Sequence, residues 1–174
     1  MSDAVNTTAN TELDTVKRGF HRIDHIAIAV RDLEEAIRLF SEVLGFQLVR
    51  RFEARGKSTG MILAEMEHGE IKFVLCQGTE PESPISQLIS QNGPGIHHVA
   101  LHVADPARTV EELGARGLEF DSPVIEGPGL VQVFSTRDEN SGLAFEFINR
   151  NSESGFLEQN ISQLFEGLET NGKF

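Results

Sequence analysis

Over residues 23–30 the chain is almost continuously apolar and rich in isoleucine and valine, the length and make-up of a buried strand. Polarity then turns periodic. Asp32, with Glu35 three places on, reads as a helix start that caps its own first turn. Ala36, Ile37, Phe40, Val43 and Leu44 recur at helical spacing until Gly45, which is placed to end the helix. Three more strands are predicted at 46–54, 60–66 and 70–77, divided by Gly56 and by His68-Gly69. This first unit therefore reads βαβββ.

A polar link over 78–84 and a short amphipathic helix near 85–90 lead to the turn Asn92-Gly93-Pro94-Gly95. The order then recurs. A strand is predicted at 96–103, and Asp105-Pro106 is an N-cap followed by proline at the first helical position. Val110 and Leu113 mark the inward face of that helix, which Gly117 stops. Strands are predicted near 118–120, 130–136 and 142–149, the last two joined by a polar turn over 137–142. Beyond Gly155, Leu157, Ile161, Leu164, Phe165 and Leu168 form one apolar helical face that has no counterpart in the first unit.

The repetition extends to single residues. His25 lies over His98, Ala27 over Ala100, Val30 over Val103 and Asp32 over Asp105 at one constant offset. One supersecondary unit used twice places the two histidines in equivalent positions. Laying Ile71-Lys72-Phe73-Val74-Leu75 over Leu143-Ala144-Phe145-Glu146-Phe147 sets Glu146 where the first unit has Val74. Side chains alternate along a strand, so Ala144, Glu146 and Ile148 share the face opposite Phe145 and Phe147. A carboxylate turned into a protein interior is costly unless it is paired or binds a metal.

Composition narrows the class without deciding it. The chain has 174 residues, 39% hydrophobic and 24% charged, with a formal net charge of −12, which argues against a general nucleic-acid surface. No apolar run is long enough to span a bilayer. A single cysteine, Cys76, excludes an intramolecular disulfide. Residues 1–19 read as a disordered lead-in without signal-peptide character, 20–150 as the paired domain, 151–174 as an added helix, and the protein as cytoplasmic. Exposed strands and helices related by the repeat are compatible with a homodimer.

Taken singly, a histidine in an apolar strand is more often a packed residue than a ligand, and a lone glutamate among phenylalanines can mark an edge strand facing water. Together, two repeat-equivalent histidines and a carboxylate at a repeat-equivalent strand end point to a metal. If both units curl around one cup, His25, His98 and Glu146 form a facial set of two imidazoles and one carboxylate. That is the arrangement of non-haem Fe(II) oxygenases, which leaves positions for substrate and O2.

The paired units, with Asp24-His25-Ile26, His97-His98-Val99-Ala100-Leu101 and Phe145-Glu146-Phe147, resemble the vicinal oxygen chelate superfamily of glyoxalases, epimerases, extradiol dioxygenases and drug-sequestering proteins. The resemblance implies an α+β fold of two βαβββ modules in a cupped, barrel-like mixed sheet. The segments 130–136, 145–150 and Gly155-Phe156 through Glu169 are similar to the catalytic half of 4-hydroxyphenylpyruvate dioxygenases. This similarity implies His25, His98 and Glu146 as Fe(II) ligands and Gln132 as the residue that orients substrate. Phe134, Phe156, Asn160, Ile161 and Phe165 are implied at the pocket, with the terminal helix as a lid.

Val74 departs from the epimerases and glyoxalases, which usually carry a fourth ligand there. Leu157, Gln159 and Ile161 depart from the dioxygenases. The implied activity is oxidative decarboxylation and hydroxylation of one small 2-oxo acid with Fe(II) and O2. Two alternatives stay open. One is a metal-dependent isomerase or lyase, with His97, His102 or Glu65 as a further ligand or base and His68 and His102 otherwise solvated. The other is a small-molecule-sequestering protein.

Overall fold

The computed structural model describes residues 19–127 and 129–150. Its first unit runs β1 (Phe20–Ala29), α1 (Leu33–Arg38), β2 (Gln47–Arg55), β3 (Gly60–His68) and β4 (Ile71–Gly78). The helix α2 (Pro84–Asn92) leads to the second unit, β5 (Gly95–Val103), α3 (Pro106–Gly114), β6 (Ile125–Gly127), β7 (Leu130–Phe134) and β8 (Phe145–Arg150). The strands form one eight-stranded curled sheet in the order β2-β3-β4-β1-β5-β8-β7-β6. Each unit keeps its first strand parallel to its last, and the units meet where β1 lies antiparallel to β5.

The helices start where the residues dictate. Asp32 accepts from the Glu35 amide at 2.8 Å, and Asp105 accepts from the Arg108 amide at 3.1 Å. Each cap satisfies a backbone donor that has no partner inside its helix. Beyond α1, Leu39–Val43 widens into a π-helical turn, closed by the Leu44 amide on the Leu39 carbonyl at 3.1 Å. Gly45 and Gly117 end the two repeat-equivalent helices at φ +78° and +97°, a left-handed backbone that costs glycine no Cβ clash.

Sheet alternation sorts the apolar residues into layers. On the outer face Leu33 and Ile37 of α1 pack on Ala64, Met66 and Leu75, while Val110 and Leu113 of α3 pack against Val103, Val133 and Phe147. The concave face carries Ala27, Val74, Cys76, Ala100, Leu130 and Ile148, over which Ile85, Leu88 and Ile89 of α2 are laid. Cys76 is buried there, and its thiol is pushed up to about 12 by desolvation and by the charge of Glu146. Only the thiolate reacts. In the native protein at pH 8 a disulfide-exchange reagent should therefore leave Cys76 unmodified over hours, with full reaction once denaturant is added; prompt native reaction would contradict the burial.

One predicted strand differs. Residues 118–120 give only a bridge from Phe120 to Ser135, and the edge strand of the second unit is Ile125–Gly127. The edge is split at Ser122-Pro123. Proline has no N–H for the ladder, and the Ser122 hydroxyl accepts the Phe134 amide at 3.0 Å instead. The added helix, with the expected pocket residues Phe156, Asn160, Ile161 and Phe165, lies outside the described residues, as does most of the 1–19 lead-in.

Candidate metal centre

The sheet register carries the repeat into space. Ala27 pairs with Val74 across β1 and β4, and Ala100 pairs with Glu146 across β5 and β8. Between the units, His25 faces Ala100 and Ala27 faces His98. Two neighbouring cross-strand rows on the concave face therefore deliver His25, His98 and Glu146 to one point. All three are buried, Glu146 to 1% exposure.

Their donor atoms form a nearly equilateral triangle. His25 Nε2 and His98 Nε2 each lie 3.2 Å from Glu146 Oε2, and 3.3 Å from each other. Three mutually perpendicular ligands about 2.1 Å from a divalent ion would be about 3.0 Å apart. Among the described residues neither Glu146 oxygen has a hydrogen-bond partner of good geometry, and a buried carboxylate is costly unless its oxygens are satisfied. A proton on one imidazole satisfies a single contact of this triangle, whereas a cation satisfies all three. The donor set fits a divalent metal held on one face, and among the described residues it is the group of histidine and acidic side chains able to hold one.

The surroundings set the ligands' protonation. Burial opposes the charge on Glu146, but the two imidazoles outweigh it and hold the carboxyl down at about 2. Burial likewise opposes charge on His25, yet Glu146 and Asp24 overcome it and raise its pKa. Desolvation wins at His98, whose pKa is lowered.

The supporting residues were the part that sequence reasoning did not assign. The pairing of β1 with β5 slips between Ile23 and His25, and such a bulge brings neighbouring side chains toward one side. Asp24 consequently reaches His25 Nδ1 at 3.0 Å. Arg150, on the same strand as Glu146, clamps Asp24 with Nε at 3.1 and 3.2 Å and Nη2 at 2.9 Å. His25 Nδ1–H donating to Asp24 leaves the Nε2 lone pair aimed at the centre. His98 has a different support, with its Nδ1 2.6 Å from His97 Nδ1, while Arg137 Nη2 holds the His97 carbonyl at 2.8 Å.

Asp24→Asn should weaken divalent-metal binding by roughly 10- to 100-fold, because it removes the charge that fixes the His25 tautomer. Metal titration checks this, and unchanged affinity would show that Asp24 does not orient the ligand. The signal for Asp24 was present in its adjacency to His25, but alternation on a regular strand sends neighbours to opposite faces.

Gln132 and Phe134 stand on β7 beside Ile148 and Glu146. The Phe134 ring meets His98 edge-on, with centroids 5.2 Å apart. Gln132 is 1% exposed and its Nε2 has no hydrogen-bond partner among the described residues, so a donor is available inside the concave face. Val74 lies in the apolar cluster and offers no fourth donor. Glu65 is taken by Arg50 Nε at 3.3 Å. His68 is exposed and its Nδ1 is 3.0 Å from the Gly45 carbonyl; neither Glu65 nor His68 reaches the centre.

A family profile described as the glyoxalase/bleomycin resistance protein/dioxygenase superfamily matches residues 24–133. The chain belongs to this superfamily. Among curated members it is 28% identical to hemolysin VllY of Vibrio vulnificus, over 87% of this chain and 52% of that one. It is 27% identical to 4-hydroxyphenylpyruvate dioxygenase of Legionella pneumophila, over 88% and 55% of the two chains. A mitochondrial methylmalonyl-CoA epimerase of Dictyostelium discoideum is 26% identical, over 70% and 74%. The chain thus spans about half the length of the first two relatives. A mutant 4-hydroxymandelate synthase of Streptomyces coelicolor superposes with a TM-score of 0.74 at 22% identity, covering 90% of this chain and 55% of that one; at that identity the likeness is one of fold. This superfamily member thus has dioxygenases and epimerases among its relatives.

Proposed function

We propose that this superfamily member is an Fe(II)-dependent dioxygenase that oxidatively decarboxylates a small 2-oxo acid and hydroxylates the same molecule. The observation that carries the reading is the His25–His98–Glu146 triangle, with its two imidazoles and one carboxylate and with Val74 where a fourth donor would stand. Bound Fe(II) would supply the chelation of the 2-oxo acid and the reduction of O2. His25, His98 and Glu146 hold that ion on one face and leave the opposite face for the reactants. Two neutral imidazoles and one carboxylate leave a divalent ion with one net positive charge, which draws an anionic chelator into a chain whose net charge is −12.

Gln132 Nε2 donates to an acceptor oxygen on the substrate, and Phe134 walls the ligand His98 against water. The 4-hydroxyphenylpyruvate dioxygenase relative supports this chemistry. The chain's lack of tyrosine and tryptophan favours a substrate other than a hydroxyphenyl one.

Anaerobic reconstitution with Fe(II), followed by a panel of 2-oxo acids, tests the reading. The expected result is a visible charge-transfer band that collapses when oxygen is admitted, with carbon dioxide released. Failure to take up Fe(II) while Co(II), Mn(II) or Zn(II) binds would overturn it in favour of the isomerase chemistry that the epimerase relative carries.

A further inference from the structure

One pair of residues along the sheet from the ligand row lies a second row on the same concave face. Arg22 pairs with His102, His102 with Ile148, and Ile148 with Gln132. Ile148, fully buried in the concave cluster, is the floor between two polar side chains. Gln132 Nε2 on one side and His102 Nδ1 on the other are both buried nitrogens without a hydrogen-bond partner among the described residues. Buried polar atoms left unmatched keep their full desolvation penalty. Two of them flanking one apolar residue beside a metal centre mark a place where a ligand supplies the missing partner.

The dimensions follow from the sheet. The row is displaced from the ligand row by two residues, about 6.6 Å, and the strands carrying His102 and Gln132 are two spacings apart, about 10 Å. A group there sits four or five bonds from one chelated at the centre. Its charge follows from the neighbours. Arg22 and Arg150 stand against the single carboxylate of Asp24, with Arg22 Nη2 at 4.0 Å and Arg150 Nη2 at 2.9 Å from it. The surroundings therefore carry a net positive charge. Desolvation and Arg22 favour the neutral form of His102, and the tautomer that carries its proton on Nδ1 can donate a hydrogen bond there. Its ring is held edge-on by His21, with centroids 5.5 Å apart.

We infer that His102 and Gln132 form a second anchor, and that the substrate is a compact 2-oxo acid bearing a second carboxylate four or five bonds from the 2-oxo group. The inference rests on the metal-centred reading above and adds to it the substrate class and His102 as a specificity-determining residue. The two-carboxylate ligand spans the ligand row and the anchor row, and Arg22 at the rim supplies the positive field that brings it in.

The test compares 2-oxoglutarate with 2-oxopentanoate, which have the same chain length and differ in the second carboxylate. Affinities are read from the charge-transfer band of the anaerobic Fe(II) protein, and Fe(II) affinity is measured separately. The wild type should bind 2-oxoglutarate at least tenfold more tightly. His102→Leu should erase that preference with Fe(II) affinity and 2-oxopentanoate binding unchanged, and His102→Asn, which keeps a donor, should restore part of it. Arg22→Gln, a change at an exposed side chain, should reduce the preference several-fold.

A wild type that binds Fe(II) and both acids equally overturns this inference alone. So does a His102→Leu protein that keeps the full preference. A wild type that takes up no Fe(II) overturns the metal-centred reading and, with it, the anchor defined relative to that centre.

Discussion

Glu146→Gln is expected to abolish metal binding while leaving the fold intact. The wild type should take up about one divalent ion per chain, and the variant should retain almost none at micromolar metal, because the only anionic donor of the triangle is gone. Thermal unfolding separates loss of metal from loss of structure. At metal a hundredfold above its dissociation constant the wild type gains about 2.7 kcal/mol, on the order of 5–10 °C for a chain of this size. The variant should show no metal-dependent shift. Without metal, glutamine fills the same volume but loses the attraction of the two imidazoles that holds the Glu146 carboxyl down at about 2, so its melting temperature should fall below that of the metal-free wild type while the fold persists. A Glu146→Gln protein that binds one ion with wild-type affinity would refute the assignment.

The largest stability loss is expected from Arg150→Met. Asp24 is buried, and the clamp from Arg150 supplies three of its contacts. Removing one member of a buried ion pair costs about 3–5 kcal/mol, since the remaining charge loses its partner and cannot regain water. For this chain that is a fall in melting temperature of roughly 10 °C. Adding Asp24→Asn to Arg150→Met should recover much of the loss, a non-additivity expected of groups in direct contact.

Acidification gives an independent check. Burial alone would raise the pKa of Asp24, but the hydrogen bonds from His25 and Arg150 outweigh it and hold the carboxyl well below the ordinary range. A depressed carboxylate contributes stability that is fully present above its unfolded pKa of about 3.9 and lost as pH falls below that toward the folded value. The wild type should therefore lose more stability between pH 5 and pH 2 (about the accessible range) than the double variant does. Equal acid sensitivity would show that the pair is not the source.

Much of this protein was legible in its residues because a duplicated unit writes the same pattern twice. The constant spacing of His25 and His98, and of the aspartates that follow, identifies equivalent first strands. The alternation around Phe145-Glu146-Phe147 placed Glu146 on the inner face, and the register agrees, with Glu146 standing against Ala100 as Val74 stands against Ala27. The helix caps at Asp32 and Asp105 are local chemistry, so they too could be read directly. The edge strand of the second unit was harder, because Ser122 and Pro123 divide it into a bridge at Phe120 and a short strand beyond, and which part pairs is set by the neighbouring β7.

Legible in the residues were the duplicated architecture, the face on which Glu146 lies, and the three side chains that converge. Periodicity and repetition encode these, since alternation and turn chemistry act over a few residues. The tertiary structure decided the closeness of the triangle, the bulge that turns Asp24 toward His25, and the reach of Arg150 to a residue near the other end of the chain. It also decided that His102 and Gln132 flank Ile148. These depend on register between distant strands and on sheet curl, which are set by the packing of the whole concave face and by no local preference.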